Sequence, residues 1–358
     1  MTTATEALHE AGQSIWLDNI TRSLLESGRL EELIDGYSVT GLTSNPAILQ
    51  KAITSGDYDE AIRELVSQGK RGEELVFELA IEDLGRAADL FAPIHGATGG
   101  VDGWVSLEVS PFLAEDPDGT VKAAQDLWSQ AGRENLFIKI PGVPAGLPAI
   151  EACIYRGIPV NVTLLFDDRH YLAAAGAFMR GLERRHEEDL PPVVASVASV
   201  FMSRWDAAVN PTVASELHDA AALAIGKRAY KTYRQVLGSD RWQRLANAGA
   251  RAQRLLWAST STKEEHDDAD FYVHSLGAPF TVDTMPEGTL VAFGDGGHGH
   301  GIEPLPADGG DSDAMLSRIA EAGVDVTAVA NDLQRKAAEA FVSSWQALLD
   351  TIDDRAKA

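Results

Sequence analysis

Eight short β-prone runs recur along the chain, and stretches with apolar residues at helical spacing separate them. The runs are Ser14 to Ile20, Tyr37 to Leu42, Trp104 to Val109, Leu136 to Pro141, Ile158 to Leu165, Val193 to Val200, Arg254 to Ser259 and a weak eighth at Pro279 to Val282. Between them lie helical patterns such as Leu24 to Ile34, Ile48 to Leu90, Thr120 to Ala131, Leu147 to Tyr155, Arg169 to Arg184 and Ala220 to Tyr233. Strands that alternate with helices pair in parallel, and right-handed crossovers close them most economically as a (β/α)8 TIM barrel with additional helices. At 358 residues the chain is long enough for two domains, but barrels tolerate insertions. No linker or break in composition divides it, so one domain over residues 1–358 is expected, with a helical extension from about Asp313 to the end.

One run stands apart. Leu136-Phe137-Ile138-Lys139-Ile140-Pro141 sets an ammonium inside an apolar strand of the kind parallel sheets bury on both faces. Lysine is almost never fully buried without a partner or a task. Burial lowers an amine's pKa and frees a neutral nucleophile for Schiff-base chemistry with a carbonyl. The plain structural alternative is a side chain that reaches a strand end and pairs with a carboxylate. The run alone does not choose between the two.

The net charge of −24 argues against a nucleic-acid partner, because neutralising phosphates needs a clustered basic face that the chain lacks. The single cysteine, Cys153, excludes an internal disulfide and a multi-cysteine metal site, and it reads as a small buried hydrophobe beside Ile150 and Ile154. The first residues carry Glu6, His9 and Glu10 with no apolar core, and no segment approaches the ~18 apolar residues of a membrane helix. A cytoplasmic protein without membrane contact is therefore expected. His298 and His300 have no evident third ligand, so the stretch Gly294 to Gly310 reads as a surface loop and no metal is expected.

Barrels of this kind carry their active sites at the C-terminal ends of the strands. Asp18, Asn45, Glu108, Lys139, Asn161, Thr163, Ser199, Arg204 and Ser259 come from seven runs and fall near such ends, so they are expected to converge on one mouth. Singly, each has a plain explanation: Asp18 and Asn45 are good caps, Glu108 can pair with Lys139, and Arg204 can be a helix-surface charge.

The same residues carry a resemblance. Trp16-Leu17-Asp18, Gly41-Leu42-Thr43-Ser44-Asn45-Pro46, Ser106-Leu107-Glu108-Val109, Ile138-Lys139-Ile140-Pro141, Asn161-Val162-Thr163-Leu164-Leu165-Phe166 and Thr284-Met285-Pro286 follow in an order similar to that of the transaldolase family, over nearly the whole chain. The resemblance implies a Schiff-base enzyme of the pentose phosphate pathway that needs no cofactor and takes sugar phosphates as its small-molecule partners. It matches Lys139 to the lysine that attacks the C2 carbonyl, and Asp18 to the acid/base acting on the C4 hydroxyl. It matches Glu108 to the carboxylate that relays protons through a water shared with Thr163. Asn45 and Asn161 match residues that hold the dihydroxyacetone unit, Ser199 a substrate-contacting serine and Arg204 a phosphate-binding arginine.

The chain departs from the family after the seventh run. Where many members have Ser-x-Arg it reads Ser259-Thr260-Ser261-Thr262-Lys263, so Ser259 and Lys263 are expected at the substrate, with Lys263 a point charge in place of a bidentate fork. The rival readings are a Schiff-base aldolase that releases free dihydroxyacetone, a glycosidase using Asp18 and Glu108 as its carboxylate pair, and a sugar-phosphate binding module without turnover. Oligomeric state, monomer or homodimer, is not encoded in any of these features.

Overall fold

The computed structural model describes residues 3–262, 268–296 and 302–357. Eight strands form one sheet: β1 (Gln13–Asp18), β2 (Val39–Thr43), β3 (Val105–Glu108), β4 (Leu136–Pro141), β5 (Val160–Leu165), β6 (Ser196–Phe201), β7 (Arg254–Ala258) and β8 (Thr281–Met285). All pairings are parallel, in the order β2-β1-β8-β7-β6-β5-β4-β3. A bridge between Gly41 and Trp104 joins the two ends of that order, with Leu42 N–H donating to Trp104 O at 2.9 Å and Gly103 N–H to Thr40 O at 2.8 Å. The sheet is thus a (β/α)8 barrel, and the alternation in the sequence has its expected outcome.

Strands β2 to β6 are buried along their whole length, which is why they read as apolar runs rather than alternating ones. The eighth strand starts later than its composition suggests. Phe280 sits at φ 64°, a left-handed conformation that cannot continue a strand, so extended pairing begins at Thr281 and includes Thr284 and Met285. The crossover from β2 to β3 holds three helices, Pro46–Thr54, Asp59–Ser67 and Gly72–Ala97, in line with its several helical patterns.

The region after Asp313 forms two helices, Ser312–Glu321 and Val326–Arg355. The second has 30 residues and spans about 45 Å at 1.5 Å per residue, enough to cross the barrel's mouth. Its Trp345, Leu348 and Ile352 are buried on one face. Three polar anchors fix it: Gln334 Nε2 donates to Gly142 O (3.3 Å) and Leu164 O (2.8 Å), Trp345 Nε1 donates to Glu73 Oε1 (2.6 Å), and Arg355 pairs with Asp59 (3.0 Å). Leu164 is fully buried at φ 61°, where the β5–β6 register shifts; this irregularity lies beside Thr163.

At the closing seam, space is the limiting quantity. A Cβ on Gly41 would lie 2.7 Å from both Trp104 O and Trp16 Nε1, and neither can retreat: the carbonyl belongs to the seam, and the indole N–H is bonded to Asp102 Oδ1 at 2.8 Å. Gly41→Ala is therefore expected to cost about 1–3 kcal/mol of stability through overpacking. The measurement is the urea midpoint at unchanged m-value, and a wild-type midpoint would refute the steric account.

Candidate functional site

Parallel register brings the catalytic candidates level. Glu108 on β3 lies opposite Lys139 on β4, Lys139 opposite Asn161 on β5, and Pro141 opposite Thr163. The side chains of Glu108 and Lys139 meet inside the barrel, only 7 % and 6 % of each residue being exposed, with Nζ 2.6 Å from Glu108 Oε1. This is an ionic contact rather than an aligned hydrogen bond: among the described residues Oε1 accepts none within normal angles, whereas Nζ donates to Ser44 O at 2.9 Å. The lysine is thus buried and has the carboxylate partner that the plain structural reading expected. Burial pushes the Glu108 carboxyl above the usual carboxylate range, and the Lys139 charge pulls it partly back.

Lys139 lines a cavity of about 280 Å³ at the C-terminal ends of the strands, together with Asp18, Thr163, Ser199, Arg204 and Ser259, whereas Glu108 stands behind the lysine and outside that lining. Asp18 Oδ1 accepts from Thr43 Oγ1 at 2.8 Å, and that hydroxyl lies 2.7 Å from Thr284 Oγ1. Asn45 lines the cavity and also caps the helix Pro46–Thr54, taking Ile48 N–H on Oδ1 at 3.0 Å. Asn161 is fully buried and sits behind the cavity wall: its Oδ1 accepts from Ser199 Oγ (2.7 Å) and its Nδ2 donates to Ser106 Oγ (3.1 Å). Thr163 Oγ1 is buried and has no hydrogen-bond partner among the described residues.

Arg204 points its guanidinium over the Phe201 ring, 5.3 Å from the centroid, and burial lowers its pKa below the ordinary arginine value. No carboxylate pairs with it among the described residues. Ser259 holds φ 56° and its hydroxyl is 2.9 Å from Ser203 Oγ. Lys263, His298 and His300 lie outside the described residues.

Part of the site escaped sequence reasoning. Ala340, Phe341 and Ser344 of the last long helix form one wall, and the Phe341 ring centroid is 6.0 Å from Lys139 Nζ. The helix was legible as an amphipathic segment, but nothing local in it states what its apolar face meets. Asp206 and Asp283 were also missed. Asp206 is buried with its carboxyl raised to about 6, accepting from Ala222 N–H and Tyr272 O–H. Asp283 stands outside the barrel wall on β8, its carboxyl pushed by burial to about 7, with Thr260 Oγ1 its one donor and Oδ2 without a partner among the described residues.

With this geometry in hand, comparison with known proteins is specific. The profile of the family described as Transaldolase/Fructose-6-phosphate aldolase matches residues 15–352. A protein named Transaldolase from a Parafrankia species is 44% identical over 361 aligned residues, covering 97% of this chain and 96% of that one. Proteins of the same name from Saccharopolyspora erythraea and Thermobifida fusca are 42% and 43% identical, covering 98% and 97% of this chain, and 97% and 96% of their own lengths.

Asp283 supplies a test by pH. Its folded carboxyl holds its proton up to about 7, against an ordinary value of 3.8, so between these limits the folded state binds more protons than the unfolded one. Stability from this group is complete below the unfolded value and is lost as pH rises through the folded one. Asp283→Asn keeps an uncharged acceptor for Thr260 and removes that loss. The variant's melting temperature should therefore gain on wild type between pH 4.5 and 8; parallel profiles for the two proteins would contradict the assignment.

Proposed function

The chain belongs to the transaldolase and fructose-6-phosphate aldolase family, and we propose that this enzyme, a transaldolase, moves a dihydroxyacetone unit from sedoheptulose 7-phosphate to glyceraldehyde 3-phosphate through a Schiff base on Lys139. The products are erythrose 4-phosphate and fructose 6-phosphate. The observation that carries this reading is the buried pair itself, an amine that lines the cavity and lies 2.6 Å from a carboxyl whose pKa burial raises.

Burial raises the affinity of the Glu108 carboxyl for a proton, which suits it to take up and return protons beside the amine. The amine attacks the C2 carbonyl of the ketose. Glu108 supplies the proton that the carbinolamine oxygen needs to leave as water, with the unpartnered Thr163 hydroxyl suited to hold a relaying water. Asp18, across the cavity and held by Thr43, removes the C4 hydroxyl proton; the C3–C4 bond then breaks, the aldehyde departs, and the bonding electrons enter the protonated imine as an enamine. The acceptor aldehyde reverses these steps, and water finally frees the amine.

Asn45 lines the cavity and keeps its Nδ2 for the dihydroxyacetone hydroxyls, whereas Asn161 acts through the Ser199 hydroxyl that it orients. Arg204 offers the fork of donors that a phosphate favours. A glycosidase pairing Asp18 with Glu108 would leave the buried lysine without a task.

Borohydride added with fructose 6-phosphate should inactivate the protein irreversibly and place the added mass on the peptide containing Lys139. Lys139→Arg should abolish trapping, because a guanidinium stays protonated. Turnover by that variant would exclude the Schiff base, and release of dihydroxyacetone without an acceptor would assign the lyase reaction instead.

The two carboxylates separate kinetically. Asp18→Ala should still form the lysine adduct and lose about 10²- to 10⁴-fold in turnover, whereas Glu108→Ala should form the adduct itself slowly. Rapid quench followed by mass spectrometry distinguishes them, and fast adduct formation without Glu108 would remove its role.

A further inference from the structure

A large cleft lies at the opposite end of the barrel from Lys139. It has a volume of about 810 Å³, within the range of roughly 300–1,000 Å³ typical of small-molecule sites, and is lined by residues at the N-terminal ends of the strands and the turns before them. Nothing in the proposed reaction uses it.

Its chemistry is unlike that of the chain as a whole. In a protein of net charge −24, three arginines line this cleft, Arg234, Arg251 and Arg254. Arg254 is structural, donating to Val101 O at 3.1 Å and Thr281 O at 2.7 Å. The one carboxylate in the lining, Asp102, is buried and engaged: Oδ1 accepts from Trp16 Nε1 and Oδ2 from Thr40 Oγ1 and Ser14 Oγ. Arg234 and Arg251 have no ion pair among the described residues. Arg234 bonds only the Tyr230 hydroxyl, at 3.1 Å, and Arg251 packs over Gly100, where a Cβ would come within 2.7 Å of its Nη1.

In the floor, Trp104 and Phe137 stack at 4.1 Å between centroids and are buried, as are Trp242 and Tyr233, so they stiffen the cleft and offer little open ring face. At the rim, Phe280 is 63 % exposed, and the Arg234 guanidinium lies 6.0 Å from its ring. This phenylalanine is held in the left-handed region by Gly12, whose carbonyl takes its N–H at 2.8 Å, and by Tyr233 O–H donating to its carbonyl at 3.0 Å. A large ring that is both exposed and backbone-strained serves neither burial nor local conformation, and such outliers collect at ligand sites.

We propose that this cleft binds a nucleoside phosphate, with the phosphates on Arg234 and Arg251 and the base against the exposed Phe280 ring. Guanidinium forks match phosphate oxygens, and an aromatic face takes a planar base without needing its hydrogen-bond pattern. A sugar phosphate would satisfy the arginines and leave the Phe280 ring unused.

The test is isothermal titration of the full-length protein with ATP, beside tripolyphosphate and adenosine as separate probes. ATP should bind with one-to-one stoichiometry and more tightly than either fragment. The double variant Arg234→Ala/Arg251→Ala should weaken ATP binding about tenfold or more while leaving transaldolase turnover unchanged. Phe280→Gly, which relieves the positive φ and so keeps the fold, should weaken ATP but not tripolyphosphate. Arg204→Ala, in the catalytic cavity, should leave ATP binding intact. Absence of binding up to about 1 mM ATP, full affinity in the double variant, tripolyphosphate binding as tightly as ATP, or loss of binding in Arg204→Ala would each overturn the assignment.

Discussion

A parallel sheet of eight strands becomes a barrel only if its two outermost members meet, and here they meet across a seam one residue wide. Gly41 on β2 bridges to Trp104 just ahead of β3, with the Trp16 indole filling the space where a side chain would project. Everything at the mouth depends on that closure. Were the sheet open, β2 and β3 would be its far edges, and Ser44 and Glu108, which follow and end those strands, could not both reach Lys139. Instead Lys139 Nζ touches Ser44 O and Glu108 Oε1 at once.

Closure also explains how a charged pair survives in the interior. Two ions removed from water recover their desolvation only when they touch and when their remaining donors find acceptors. The barrel meets the first condition by register, since Glu108 and Lys139 are directly paired on neighbouring strands, and the second by the Ser44 carbonyl.

Much of this was legible from the sequence because the signals were local. The lysine strand, the Asn161 and Thr163 alternation and the Asn45-Pro46 helix start each announce themselves within a few residues, and the barrel follows from their recurrence. What was not legible depends on distant partners. Phe341 and Ser344 lie 202 and 205 residues from Lys139, and only the folded chain shows that their helix covers its cavity. Asp283 looks like any strand-end carboxylate until the packing around it removes water. The displaced start of β8 has a different cause: Pro279 and Phe280 are ordinary strand neighbours by composition, and it is the tie between Gly12 O and Phe280 N–H that turns the backbone aside.

The amide of Gln334 reaches two carbonyls at once, Gly142 O just past β4 and Leu164 O in the irregular end of β5. Those strands carry Lys139 and Thr163, while Gln334 belongs to the helix that covers them. An asparagine there, shorter by one methylene, could not span from the same backbone position to both. Gln334 therefore acts as a spacer of fixed length between floor and roof, and with the Trp345 and Arg355 anchors further along the helix it sets the headroom over the Lys139 amine.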